Sequence, residues 1–255
     1  MLTFASRILE YNVQATDGEL GKVKDIYFDE DNWVIRYLVI DTRKWLPGRK
    51  VLVSPISFDS VDFENGMVNI LETKESIKDS PSLEEHEPIS RKHEILLHAH
   101  FGWPHYWSYF DNNRLWGDFN TPHELGNTTE TEVDKLTPEQ EDERKLRSVN
   151  DIKGDFTGYT IQATDGEIGH VSDFMISDDS WKVRYFVVET KNLLAGKFVV
   201  LSVDWINSIS WTDKRLVVDL PKDAIKNGPF FELDAPLTRE EEMELYESFQ
   251  RTPYF

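Results

Sequence analysis

The chain states one pattern twice, and this constrains its fold more than any single motif does. Ala15-Thr16-Asp17-Gly18-Glu19-Leu20-Gly21 returns as Ala163-Thr164-Asp165-Gly166-Glu167-Ile168-Gly169, 148 residues on. The same offset runs without a gap from Tyr11/Tyr159 to Tyr106/Tyr254. A repeat this long is a duplicated domain; a solenoid unit has a period of about 20–50 residues. The 255 residues divide into repeat 1 (1–107), an acidic linker (108–148) and repeat 2 (149–255). A residue kept in both repeats serves the fold or a shared surface. A residue present in one repeat marks what the copies do differently.

Each repeat reads as short strands. In repeat 1 these are 11–14, 22–29, 33–41, 50–53 and the hairpin 60–63/67–70 around Asn65-Gly66. Apolar and polar residues alternate in Lys22–Asp29, whereas Trp33–Asp41 is a β-branched run suited to a central strand. Repeat 2 returns the same set at 170–176, 181–189, 197–201, 206–211 and 215–220. Five or six short strands in about 65 residues predict a mainly β fold with a small barrel or sandwich per repeat. A short helical turn follows at 73–77 and 221–225. Ser90 and Thr238, preceded by Pro88 and Pro236, then read as N-caps of helices over 91–100 and 239–248. In the linker, Thr137-Pro138-Glu139 predicts a short acidic helix, while 108–136 reads as loop. Trp116 and Phe119 are its candidate anchors.

The pattern A-T-D-G-E-[LI]-G-x-V-x-D, then W-x-x-R-Y-[LF]-V-[IV], then G-[RK]-x-V and a closing hairpin resembles the PRC-barrel domain. That is the β-barrel module of the photosynthetic reaction centre H subunit and of the ribosome maturation factor RimM. The resemblance covers about 10–71 and 158–220. The helix with its aromatic tail resembles an extension of bacterial tandem PRC-barrel proteins. What the resemblance implies is two PRC-type barrels, each a non-catalytic module that docks on other proteins and often dimerises. The transmembrane helix of the H subunit has no counterpart here. The RNA-processing domain of the ribosome factor is replaced by a second barrel.

Charge and composition narrow the function classes. The net charge is −19, with −6 in residues 1–107, −6 in 108–157 and −7 in 158–255. Neither repeat holds a basic surplus, so nucleic acid and anionic lipid are disfavoured partners. Arg43, Lys44, Arg49 and Lys50 still form a local basic patch. Cysteine is absent, which removes disulfides, thiolate metal sites and cysteine nucleophiles. Met1–Tyr11 lacks the apolar core and cleavage pattern of a signal peptide. No run of about 18 apolar residues exists to span a membrane. A cytoplasmic location is the expectation.

No P-loop, G-x-S-x-G or G-x-G-x-x-G is present, so no catalytic residue and no cofactor is assigned. Asp17-Gly18 and Asp165-Gly166 read as structural turns of type I′. Asp29-Glu30-Asp31 and Asp178-Asp179 read as solvated turns without the spacing of a calcium loop. Arg36 and Arg184 lie in the most apolar strand of each repeat. A buried arginine needs a carboxylate, and Asp25 and Asp173 are the candidate structural partners. The alternative for each arginine is a site for an anion or a partner's carboxylate.

Six of the seven histidines lie between His86 and His123. His93, His98, His100 and His105 are weak candidates for a metal, because no helical ligand spacing of the H-E-x-x-H kind is present. Phe101, Trp103, Tyr106 and Trp107, with Phe249, Tyr254 and Phe255, are the candidate interface. They either pack on their own barrel or dock elsewhere, a homodimer included. The composite expectation is a soluble, non-catalytic interaction or scaffold protein with an unknown protein partner. The alternative is a metal- or small-ligand sensor built on the histidine-rich end of repeat 1.

Overall fold

A computed structural model describes residues 1–43, 45–83, 89–107, 114–128, 146–154, 158–190, 198–231 and 237–255. In chain order the elements begin with β1 (Leu2–Phe4), α1 (Ala5–Ile8), β2 (Asn12–Ala15), β3 (Gly18–Asp29), β4 (Ile35–Asp41) and β5 (Val51–Val53). Then come β6 (Phe58–Asp62), β7 (Met67–Ile70), α2 (Lys74–Asp79), α3 (Arg91–Phe101) and α4 (Pro122–Gly126). The second half holds β8 (Leu146–Ser148), α5 (Val149–Ile152), β9 (Thr160–Ala163), β10 (Gly166–Ser177), β11 (Val183–Thr190) and β12 (Phe198–Ser202). It closes with β13 (Ile206–Ser210), β14 (Arg215–Val218), α6 (Lys222–Asn227), β15 (Phe230–Phe231) and α7 (Arg239–Ser248). The predicted helix at Thr137–Glu141 lies outside the described residues.

The chain forms two compact units that cut across the repeats. The repeat-1 unit holds Arg7–Ser148 and Asp179–Lys182; the repeat-2 unit holds Met1–Ser6, Val149–Asp178 and Val183–Phe255. Each is mainly β, with a sheet curled as a half-barrel. The repeat-1 sheet runs β5-β4-β3-β2-β7-β6, and the repeat-2 sheet runs β13-β14-β9-β10-β11-β12-β15. Pairing is antiparallel except for β2 with β7 and β9 with β14. In the repeat-1 unit the core takes alternate positions of β2, Val13 and Ala15, and every position of β4 from Ile35 to Ile40.

The glycines of the repeated motif answer two different constraints. Gly18 and Gly166 hold φ of 150° and 132°, a region open to glycine at little cost. Asp17 and Asp165 are absent from the positive-φ residues, so the turns are not type I′. The second glycine answers crowding. A Cβ on Gly21 would lie 2.0 Å from the Asp41 carbonyl oxygen, and one on Gly169 would lie 2.1 Å from that of Glu189.

Trp33 and Trp181 set the starts of the central strands. Both have left-handed backbones, with φ of 61° and 54°, which costs a bulky residue energy and interrupts extended structure. The strands accordingly begin at Ile35 and Val183, later than the apolar run alone predicts.

An extra strand joins each sheet from the segment that precedes the other repeat. In the repeat-2 unit β1 pairs with β10, Leu2 opposite Ser177 and Phe4 opposite Met175. In the repeat-1 unit β8 pairs with β3, Leu146 opposite Asp29 and Ser148 opposite Tyr27. Each added strand is followed by a one-turn helix, α1 or α5. A paired strand covers backbone groups that an open edge would leave to solvent. Leu2, Phe4 and Ala5 are buried in doing so.

Candidate functional site

Each repeat ends by locking its helix and aromatic tail onto its own barrel, and the chemistry-bearing residues kept in both repeats converge there. Ser90 and Thr238 cap α3 and α7 as expected, accepting from the backbone N–H of His93 and Glu241. The helices stop at residues with left-handed backbones, Gly102 at φ 69° and its counterpart Gln250 at φ 53°. The chain then turns back across the helix.

In repeat 1 the centre is Glu94, fully buried on α3. Tyr37 from β4 donates its hydroxyl to Glu94 Oε2 at 3.0 Å. The tail hydroxyl of Tyr106 donates to the same oxygen. Arg91 Nη1 lies 3.2 Å from Glu94 Oε1, a contact of charge without hydrogen-bond geometry. Burial and the neighbouring carboxylate push the Tyr37 hydroxyl well above its ordinary pKa. Repeat 2 keeps the set. Tyr185 donates to Glu242 Oε1 at 2.6 Å, Tyr254 donates to it at 3.0 Å, and Arg239 Nη1 lies 3.0 Å from Oε2. Burial and Glu242 raise the Tyr254 hydroxyl to about 12.

The strand arginines lie against the tail tyrosines. The Arg36 guanidinium is 3.9 Å from the Tyr106 ring centre and the Arg184 guanidinium 4.3 Å from that of Tyr254, which is cation–π contact. Beyond that point the repeats part. Trp116 from the linker lies 4.7 Å from Arg36, and Arg36 Nε donates to Asp29 Oδ2 at 2.7 Å. Arg36 is 2% exposed and Trp116 fully buried. The counterpart of Asp29 is Ser177. Among the described residues Arg184 has no carboxylate and no second ring, and its Nε is buried without a hydrogen-bond partner.

This corrects the partner expected for the arginines. Asp25 and Asp173 stand beside bulges in β3 and β10, where the register shift takes their side chains out of the ladder. They receive the added strands instead. Asp173 accepts from Ser6 N at 3.2 Å and Ser6 Oγ at 2.5 Å, and Asp25 Oδ2 accepts from Ser148 Oγ at 2.7 Å. Asp29 is likewise no solvated turn residue: it is 2% exposed and also accepts from Asn32 N. Asp17 and Asp165 bind the first turns of α2 and α6, accepting from Lys74 N and Lys222 N at 2.8 and 2.7 Å.

The matches to known families follow the same geography. The PRC-barrel domain matches residues 2–77 and 154–225. The chain belongs to the PRC-barrel family. No curated protein matches it. The matched ranges of this PRC-barrel protein take in the sheets apart from β8 and β15, reach into the short helices α2 and α6, and end before α3 and α7.

The remaining candidates are placed as follows. Trp103 is buried, donating to Glu72 Oε1 at 2.8 Å and stacking on Phe101 at 4.5 Å. Trp107 lies 4.0 Å from Arg91 and stacks on His105. Phe249 packs on Trp205 at 5.0 Å. Tyr254 and Phe255 stay 38% and 44% exposed. His98 is fully buried, with Nδ1 3.0 Å from the Pro104 carbonyl and Nε2 3.0 Å from the Tyr37 hydroxyl. Facing a carbonyl, Nδ1 carries the proton, so Tyr37 divides its one hydrogen between Nε2 and Glu94. Burial, then His105, lowers His98 to a pKa of about 3. His93 is buried on the first turn of α3, and His100 Nε2 lies 2.9 Å from the Ser76 carbonyl. Among the described residues no three such side chains group around a common point for a metal. His86 and Lys44 lie outside the described residues.

The basic patch of repeat 1 is engaged locally. Arg43 binds Asp41 and holds its carboxyl at about 2, Arg49 donates to the Lys78 and Ser80 carbonyls, and Lys50 is buried beside Tyr27. Two features escaped sequence reasoning. Helix α4 lies in a stretch read as loop, although Thr121, Pro122 and Glu124 supply the N-cap, N1 and N3 residues of a capping box. Asp29 was legible only as an acid next to the strand of Arg36.

Proposed function

We propose that this PRC-barrel protein is a non-catalytic interaction or scaffold protein of the cytoplasm, whose partner is another protein. No described helix is long and apolar enough to cross a membrane. The observation that carries the reading is the use made of the titratable residues kept in both repeats. The glutamate, two tyrosines and arginine at each tail bind one another, and the half-buried Asp25 and the buried Asp173 bind Ser148 of β8 and Ser6 just after β1. Groups so engaged hold a shape rather than act on a substrate. Two linked copies offer two contact surfaces, and linkage raises avidity without any new contact. The acidic charge favours a protein partner over a polyanion.

The test is recovery of the tagged full chain from its own host at low and at moderate salt. A stoichiometric protein that survives moderate salt is the expected result. A preparation containing only this chain overturns the reading.

A further inference from the structure

The two tail sites share their cation, tail tyrosine, helix arginine and glutamate, and differ in what surrounds the strand arginine. Repeat 1 shows a fuller environment: Arg36 has Tyr106 on one face, Trp116 nearby and the Asp29 carboxylate at Nε, while its Nη1 is buried without a hydrogen-bond partner. The counterpart in repeat 2 lacks the tryptophan and the carboxylate. Arg184 is half-buried, touches one ring, and keeps a buried Nε without an acceptor. Around it, Tyr254 and Phe255 expose more than a third of their surface, and the guanidinium of Arg239 lies 3.4 Å from the Phe255 ring centre. A guanidinium held against a ring without a carboxylate beside it is an under-compensated cation, and a carboxylate is the acceptor that best pairs with it. Exposed rings beside an arginine are typical anchors of a protein interface.

We infer that Arg184, with Tyr254, Phe255 and Arg239, forms a docking site for a segment of a partner protein that presents an aromatic ring beside a carboxylate. The ring takes the place that Trp116 holds over Arg36. The carboxylate meets the solvent side of the half-buried Arg184 guanidinium and supplies the charge that Asp29 supplies to Arg36. The occupant is inferred from the molecule's own solution at the matching position, and its charge opposes that of the site. The inference rests on the interaction reading above and names the partner chemistry.

The probe is a short blocked peptide containing Asp and Trp, titrated into the full chain. Controls carry Asn for Asp or Ala for Trp. A charge-assisted hydrogen bond predicts about a tenfold loss of affinity for the Asn peptide, and a similar loss for Arg184→Gln. Phe255→Ala, an exposed position, weakens binding while leaving Arg184 intact. Arg215→Gln, exposed on β14, leaves binding unchanged. Absence of saturable binding at millimolar peptide, or binding indifferent to Arg184→Gln, overturns the site.

Recovery from the host with wild type and Arg184→Gln side by side separates the two readings. A partner lost with the variant supports the site. A partner kept by both overturns the site and leaves the interaction reading standing. If neither recovers a partner, the interaction reading itself falls. A self-association that Arg184→Gln abolishes overturns the choice of a different protein as occupant, in favour of a second copy.

Discussion

Repeat 1 and repeat 2 carry the same Arg-Tyr pair on the strand, the same Arg and Glu on the helix and the same tail tyrosine, yet one site is closed and the other open. Closure takes two further groups, and each comes from outside the shared pattern. Asp29 replaces a serine at one strand position, and Trp116 belongs to the linker, which has no twin. The lesson is that duplication preserves the frame while single positions decide whether the strand cation has an internal carboxylate. An arginine paired inside its own barrel is structure. Its twin without a carboxylate is a place for something else.

The comparison breaks first at the added strands. Removing Met1–Ser6 takes nothing from the sheet of repeat 1, although those residues precede it in sequence. It strips β1 from β10 and takes Ser6 from Asp173. Loss of the burial of Leu2 and Phe4 is expected to destabilise the repeat-2 unit by about 3–6 kcal/mol. Amide exchange resolved by segment checks this: protection should fall in β10 and β11 and hold in β3 and β4. A fall confined to the repeat-1 sheet would contradict the strand exchange.

Next in size is Asp29→Ala. It leaves Arg36 buried and without its carboxylate, and removing one partner of a buried pair costs about 3–5 kcal/mol. Ser177→Ala at the matching position removes no ion pair and is expected to change stability by less than about 1 kcal/mol. Urea unfolding of both variants reads the difference. Equal losses would mean that the two arginines sit in equivalent environments.

Much of the frame was legible in the sequence because it rests on local rules. Gly102, Ser90 and Thr238 are helix stops and caps, whose chemistry lies within a few residues. The strands followed from apolar patterning, and the repeat placed them twice. The partner of Arg36 was not legible, because Asp25, Asp29 and Asp31 lie within one turn and strand end. Which acid turns inward depends on bulges that shift the register. The strand exchange was hidden for a related reason: three-residue strands carry no periodicity of their own. The difference between Arg36 and Arg184 needed Trp116, which nothing in the linker's composition ties to the barrel of repeat 1.

Acid sharpens the comparison more gently. His98 in repeat 1 has Tyr246 as its counterpart. Folded His98, enclosed by Tyr37, Glu94, Arg91 and His105, stays neutral down to about pH 3. In the unfolded chain it takes up a proton near pH 6.5. Between those values only the unfolded state binds the proton, so stability falls as pH falls. For this one group the slope approaches about 1.4 kcal/mol per pH unit. Denaturant midpoints at pH 7 and pH 5, read by amide exchange in α3, should therefore drop more in wild type than in His98→Gln. A wild-type α3 that is equally stable at both values would contradict the buried neutral imidazole.

The smallest expected change in stability is the most informative about function. Ser177→Asp supplies repeat 2 with the carboxylate that repeat 1 already has. Arg184 is half-exposed, so the new pair should stabilise by only about 0.5–1 kcal/mol, in the range of a partly solvated ion pair. Its effect on binding should be far larger, because an internal carboxylate now neutralises the guanidinium that a partner would use. The acidic-aromatic peptide should bind Ser177→Asp as weakly as it binds Arg184→Gln, while the fold is slightly more stable than wild type. Stability and docking then move in opposite directions, an outcome that damage to the fold cannot produce. Unchanged peptide affinity in Ser177→Asp would show that the carboxylate is not what the open site lacks.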